Sequence, residues 1–333
     1  MDRKLREPEH DQMNRRHLLR ALGIVTTGAL MPGFTIRSVN AFASIAKDSA
    51  TAGRSFPVTT VNHLNMTSAN YARSRDFYVD LFGMRVAWDD GRQCALEFGN
   101  IASPNGMYIR PLTKPGEKPT IGHIAFGIPN FISQKAAMKA EMERRGVRNV
   151  RPDGEVGWSC DDPAGYPLNI WVPEKDKAMF PGAAGPCEIA SSAKCKAAWE
   201  RGVKNLGSAP KPNPHSFSSI GFSFIILNVP DVSKERDFYR DLLGMEVVAD
   251  RTKSSDADCI LAFGQNALVL RKLSNPAAKP YCNRFGLKVT DDVIAVEAEL
   301  KRRSLKSEID SKDGTRNIVD PDGYLVGVNG GQK

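Results

Sequence analysis

Residues 75–89, RDFYVDLFGMRVAWD, return as residues 236–250, RDFYRDLLGMEVVAD. Nine of the first twelve positions are identical across a spacing of 161 residues. A repeat of this kind constrains the architecture before any single element is assigned, because both copies must bury the same apolar face. It also makes each copy a control for the chemistry of the other. His63 lies fourteen residues before Phe77, and the equivalent position in the second copy is Phe224. One copy carries a candidate metal ligand where the other carries a phenyl ring.

Each half divides again into modules ordered strand, helix, strand, strand, strand. The first spans about 58–112, with an opening strand over Thr59–Met66 and a helix over Arg73–Phe82. Phe77, Leu81 and Phe82 give that helix a packing face, and Gly83 ends it, as a glycine past the last turn commonly does. The second module spans about 119–173 and opens with Ile121-Gly122-His123-Ile124-Ala125-Phe126. Its helix, Ile132–Arg145, stops at Gly146, and Asp162-Pro163-Ala164-Gly165 turns the chain into a strand over Tyr166–Val172. Modules at 218–273 and 281–330 repeat the pair, the last with the turn Asp320-Pro321-Asp322-Gly323. The pattern predicts an α+β fold in which tandem βαβββ modules form two domains, 58–173 and 217–330. Residues 174–216 read as a linker rich in Pro, Gly, Ala, Ser and Lys, with a helix predicted over 190–203.

The first 43 residues read as an address. Asn14-Arg15-Arg16-His17-Leu18-Leu19-Arg20 is a twin-arginine signal, Ala21–Ile36 is an interrupted apolar run, and Ala41-Phe42-Ala43 is a small-x-small cleavage site. Residues 44–57 form an N-terminal extension. The expected location is the periplasm or the medium, and no membrane segment follows the signal. Removing the signal lowers the formal charge from +8 to +5. That mild excess, with no basic stripe interleaved with aromatics, excludes a nucleic-acid partner. Cys94 and Cys259 fall at matching strand positions and read as packing residues. Cys187 and Cys195 lie eight apart in the linker; on a continuous helix they would sit about 12 Å apart, beyond the roughly 7 Å limit of a disulfide, so a bridge there requires a bend.

The helix motif (Ser74, Phe77, Tyr78, Leu81 and Gly83, with Phe82 in place of a leucine), the HIAF opening and the DPxG turn resemble the vicinal oxygen chelate superfamily of glyoxalases, extradiol dioxygenases and bleomycin-resistance proteins. The resemblance covers 58–173 and 218–330. It implies glyoxalase/dioxygenase-like curved-sheet domains, each with one cavity between two modules. It also implies metal ligands in the opening strands of the first and second modules, at His63 and His123. Only three histidines follow the signal, and these are two of them. The family's carboxylate position, four residues after the DPxG glycine, is Asn169 here. Its neutral carbonyl is a weak third ligand or a substrate contact. In the second half the same positions hold Phe224, Arg284 and Gly327, which implies no metal there.

Other acids near the cavity are Glu97, whose face depends on strand register, and Asp161 and Asp162, which read as turn caps. Tyr108, Arg110 and Trp171 are the candidate substrate-binding residues, with Trp158 and Tyr166 as further aromatics and Arg271 as the counterpart of Arg110. Trp171 lies two residues after Asn169 and so shares its face. A cavity-mouth arginine can clamp a carboxylate or phenolate. Two readings follow. In one, the chain is an exported metal-dependent enzyme resembling extradiol dioxygenases, acting on a small aromatic or vicinal-oxygen substrate. A divalent metal is its cofactor, with Fe2+ the best match and Mn2+ or Zn2+ as alternatives. In the other, it is a metal-free small-molecule binding protein of the bleomycin-resistance type. A glyoxalase-type lyase ranks below both, because the motif positions supply no glutamate base. The partner in each reading is a small-molecule ligand, with a homodimer as the candidate assembly.

Overall fold

A computed structural model describes residues 54–98, 105–114, 116–153, 157–171, 204–254, 257–311 and 314–331, with Glu200 and Gly202. The twin-arginine signal, Cys187, Cys195 and nearly all of the predicted linker helix lie outside the described residues.

Two eight-stranded mixed sheets are built on one plan. The first contains β1 (Thr60–Ser68), β2 (Arg85–Asp89), β3 (Cys94–Glu97), β4 (Gly106–Pro111), β5 (Ile121–Gly127), β6 (Arg151–Asp153), β7 (Gly157–Asp161) and β8 (Pro167–Trp171). Its order is β2-β3-β4-β1-β5-β8-β7-β6. The two opening strands, β1 and β5, therefore meet antiparallel at the centre, and each pairs in parallel with the last strand of its own module. The second sheet contains β9 (Ser219–Val229), β10 (Glu246–Asp250), β11 (Asp258–Phe263), β12 (Asn266–Lys272), β13 (Tyr281–Asp292), β14 (Ser307–Ile309), β15 (Arg316–Val319) and β16 (Leu325–Gly331), in the equivalent order. This is the tandem βαβββ arrangement that the repeat predicts.

Four helices cover one face of the sheets: α1 (Tyr71–Phe82), α2 (Phe131–Arg144), α3 (Val232–Asp241) and α4 (Val293–Arg302). The α1 terminus follows from its sequence, since Asn70 accepts the Arg73 N–H as N-cap and Gly83 takes a left-handed φ of 64°. Trp158 and Tyr166 belong to the core under the helices, where the Trp158 indole donates to the Lys135 carbonyl and the Tyr166 hydroxyl to the Ile121 carbonyl. Cys94, Cys160, Cys259 and Cys282 are buried free thiols, and burial pushes each thiol up. Among the described residues no helix is long and apolar enough to cross a membrane.

The two lobes share one continuous apolar core, with Phe98 against Phe222 at 5.0 Å and Phe126 against Phe263 at 5.5 Å. Reciprocal polar contacts fix their relation. The Tyr78 hydroxyl on α1 donates to Asp320 in the second lobe's DPxG turn at 2.7 Å, and Tyr239 on α3 donates to Asp162 in the first lobe's turn at 3.1 Å. Asp162, expected as a turn cap, does accept the Tyr166 N–H, and it also serves this interface. One feature breaks the symmetry. Ser74 on α1 donates to Asp322, whereas the counterpart of Ser74 is Glu235, which is 1 % exposed and lies beside Asp162.

Two carboxyl groups in contact inside a core cannot both ionise without a large cost. Burial and the neighbouring Asp162 charge hold Glu235 well above the usual carboxylate range. The folded protein therefore keeps a proton that the unfolded chain releases. Stability from this pair is fully present at and below the ordinary glutamate range and is lost as pH rises toward the raised folded value. Glu235→Gln retains a donor toward Asp162 and removes the titration. The variant is expected to melt a few degrees above wild type at pH 8 and to lose that advantage at pH 5, as read by thermal unfolding across pH.

Candidate functional site

The concave face of the first sheet gathers alternate residues of five strands. A bulge selects them. In β1, Val61 pairs with Phe126 and His63 with the next residue, Ala125, leaving Asn62 as the extra residue. The bulge reverses the alternation, so Val61 stays in the core while His63 and Asn65 turn to the concave side. The same irregularity recurs around Ser223 in β9, so it belongs to the duplicated plan.

His63 and His123 meet across β1 and β5, with their Nε2 atoms 3.0 Å apart. Asn62 Oδ1 lies 2.8 Å from His63 Nδ1, so with the proton on Nδ1 the His63 Nε2 lone pair faces His123. Burial first, then the Arg110 and Arg151 charges, lower the His123 pKa to about 3, which keeps that ring neutral at physiological pH. Tyr108 and Trp171 stand edge-on to His63, with ring centroids at 4.6 and 5.5 Å. Trp88 and Ala95 extend the lining beside Tyr108. Arg110 on β4 is half-buried, and desolvation lowers its pKa while the Tyr108 and Asp153 charges oppose that shift. Glu97 does not serve the site, because its carboxylate is ion-paired with Arg85 at the end of β3. Asp161 is likewise engaged, accepting from the Asn149 amide at 2.5 Å.

Asn169 sits beside His123, but its amide is turned differently from the sequence expectation. Oδ1 accepts from the Ser159 hydroxyl at 3.1 Å. Nδ2 donates to Asp153 Oδ2 at 2.6 Å and lies 3.4 Å from His123 Nε2. The reverse orientation would set two oxygens 2.6 Å apart, so the carboxylate fixes the amide. As placed, Asn169 presents a donor toward His123 and not the carbonyl of a third ligand. Asp153 also accepts from the Trp171 indole at 2.5 Å. Gly157 permits that approach, since a Cβ there would lie 2.5 Å from the indole nitrogen.

Asp153 is the site residue that the sequence pattern did not single out. It lies on the three-residue strand β6, and its only local sequence signal is the Pro-Asp-Gly triplet that begins at Pro152. Among the described residues, no group of three or more His, Cys, Asp or Glu side chains converges as a ready metal site. The donor pair itself fits an ion. Two nitrogens each about 2.1 Å from one centre at a right angle lie about 3.0 Å apart, which suits six-coordinate geometry.

The Glyoxalase/Bleomycin resistance protein/Dioxygenase superfamily matches residues 60–170 and 221–328. The chain belongs to this superfamily. No curated protein sequence matches it. Its fold is similar to a variant of homoprotocatechuate 2,3-dioxygenase from Brevibacterium fuscum, at 16% identity and a TM-score of 0.57, over 86% of this chain and 74% of that one. It is also similar to the Mn(II)-bound glyoxalase from Novosphingobium aromaticivorans, at 15% identity and a TM-score of 0.57, over 83% of each chain. At these identities the likeness concerns the fold alone.

Removing the Asn169 amide tests the hydrogen-bond arrangement. Asn169→Leu leaves Asp153 and Ser159 each short of a partner, and the expected loss is about 1–3 kcal/mol in urea unfolding.

Proposed function

We propose that the first lobe is the active centre of a metal-dependent enzyme resembling extradiol dioxygenases. The observation that carries this reading is the 3.0 Å approach of two imidazole nitrogens from separate strands. Each ring's lone pair is directed by the strand that bears it, and the Asn62 contact holds His63 in the ligating tautomer. The Mn(II)-bound glyoxalase among the fold neighbours supports a divalent ion, and Fe2+ is the ion favoured for a two-histidine site with open positions, with Mn2+ next. When bound, such an ion supplies Lewis acidity and a template for two adjacent substrate oxygens.

The residues of this chain define what can enter. Tyr108 and Trp171 form rigid aromatic walls beside His63, which suits a flat ring. Arg110 adds a guanidinium on the same face as Tyr108, able to pair with a carboxylate or phenolate. The proposed substrate is thus a small aromatic with vicinal oxygens and an anionic group. A second reading, a metal-free binding protein for such aromatics, draws on the lack of three converging acidic, His or Cys ligands among the described residues. Residues 1–43 support export of the folded chain through the twin-arginine route.

Metal analysis of protein purified before export separates the two readings. Stoichiometric iron or manganese in wild type, lost in both His63→Ala and His123→Ala, is the expected result, with oxygen uptake on a panel of carboxylated catechols as the activity assay. Metal-free protein that still binds those catechols would establish the second reading instead. A double replacement of Arg15 and Arg16 by lysine is expected to retain the chain in the cytoplasm, as read by fractionation.

A further inference from the structure

We propose that Asn65 is a ligand-recognition residue of the first lobe, donating its amide N–H to a negatively charged ring oxygen of the bound aromatic. The inference deepens the proposed function and rests on its oxygen-bearing aromatic ligand. It applies with or without a metal at the two histidines.

Strand register fixes the position. Asn65 lies two residues beyond His63 on β1 and so shares its face. It pairs with Tyr108 on β4 and with His123 on β5. Residues paired across adjacent strands present their side chains to one face of the sheet. The Tyr108 ring is in turn 4.6 Å from the His63 ring, so these four side chains border one small area. Asn65 is 5 % exposed, and its Nδ2 is shut off from solvent with no hydrogen-bond partner among the described residues. The neighbouring polar groups are already matched, Asn62 with His63 and Asn169 with Asp153 and Ser159. A buried amide donor left unpaired is destabilising, and its retention calls for a reason in what the site does. With no partner on the nitrogen, the amide can turn about its last bond and bring the N–H to a guest.

The second lobe shows that the frame itself needs no amide here. The counterpart of Asn65 is Ile226, in the same register with Val269 and Arg284, the counterparts of Tyr108 and His123. Ile226 is 1 % exposed and packs with Phe224 and Ala267. An aliphatic side chain therefore satisfies the duplicated fold. The polar one stands in the lobe where two imidazoles and a tyrosine meet.

The ligand class follows from the donor. An amide N–H contributes most when its acceptor is charged, and enclosure strengthens that contact. A phenolate oxygen seated between Tyr108 and His123 meets this requirement. A ring without an oxygen there would leave the donor buried and unpaired, and a site of that kind rejects such an analogue strongly. Asn65 thus selects oxygenated rings over plain ones, while Arg110, on the face of Tyr108, answers the ligand's carboxylate.

Calorimetric titration of 3,4-dihydroxybenzoate into the full-length protein, once with Mn2+ and once with chelator, tests this, together with thermal unfolding in the absence of ligand. Asn65→Leu keeps the atom count and branching of the side chain and removes its polar atoms. In the form that binds in wild type, N65L is expected to bind about 10- to 100-fold more weakly, the loss of one hydrogen bond to a charged acceptor. It is also expected to melt at or a few degrees above the wild-type temperature, because an unpaired buried donor is gone. Asn65→Asp keeps the shape but exchanges the donor for a charge of the ligand's own sign, and is expected to lose at least as much affinity. Wild-type affinity in either variant overturns the inference. So does a lowered melting temperature or a failure to fold in N65L, which would mark the amide as structural. Any of these results beside intact binding in wild type leaves the aromatic-ligand reading standing. Wild-type protein that binds no 3,4-dihydroxybenzoate in either form overturns both.

Discussion

Each lobe is held by a tyrosine hydroxyl entering the other lobe's aspartate turn. Tyr78 reaches Asp320 and Tyr239 reaches Asp162, and both aspartates are buried beneath the helices. A buried carboxylate needs such donors, so neither turn is satisfied in an isolated half. The continuous core between the lobes forms around this exchange, with the helices packed toward it.

Much of this was legible in the chain. The repeat predicted the modules, and the expected helix over Arg73–Phe82 forms as Tyr71–Phe82, stopped by Gly83 because only a residue tolerant of positive φ fits there. Tyr108, His63, His123, Trp171 and Asn169 share one neighbourhood, as strand alternation combined with the family resemblance implied. What escaped was set by features without a periodic signature. The bulge at Asn62 inverts the alternation of β1 and cannot be seen in a pattern of apolar residues. Asp153 sits on a strand of only three residues, too short to show a face. The amide direction of Asn169 depends on that acid and could not be read before it was placed.

Divergence between the halves proceeded by substitution at fixed points of a shared frame. Ser74 and Glu235 occupy one helix position, yet one donates to Asp322 and the other contacts Asp162, so the acid has changed sides of the interface. Asn169 and Gly327 occupy one strand position. Removing the side chain at Gly327 opens space into which the Phe224 ring fits, since a Cβ there would lie 2.8 Å from its Cζ. Gly286 makes the same allowance, with a Cβ falling 2.4 Å from Cε1 of that ring.

That phenyl group has a consequence for counting. Packed over two glycines and capped by a guanidinium, it occupies the volume a guest would need in the carboxy-terminal half. The polypeptide is twofold in construction, yet its two halves are filled differently. A guest seated where His63 and His123 meet would find no equivalent place in the carboxy-terminal half, so its saturation endpoint would be one equivalent per chain.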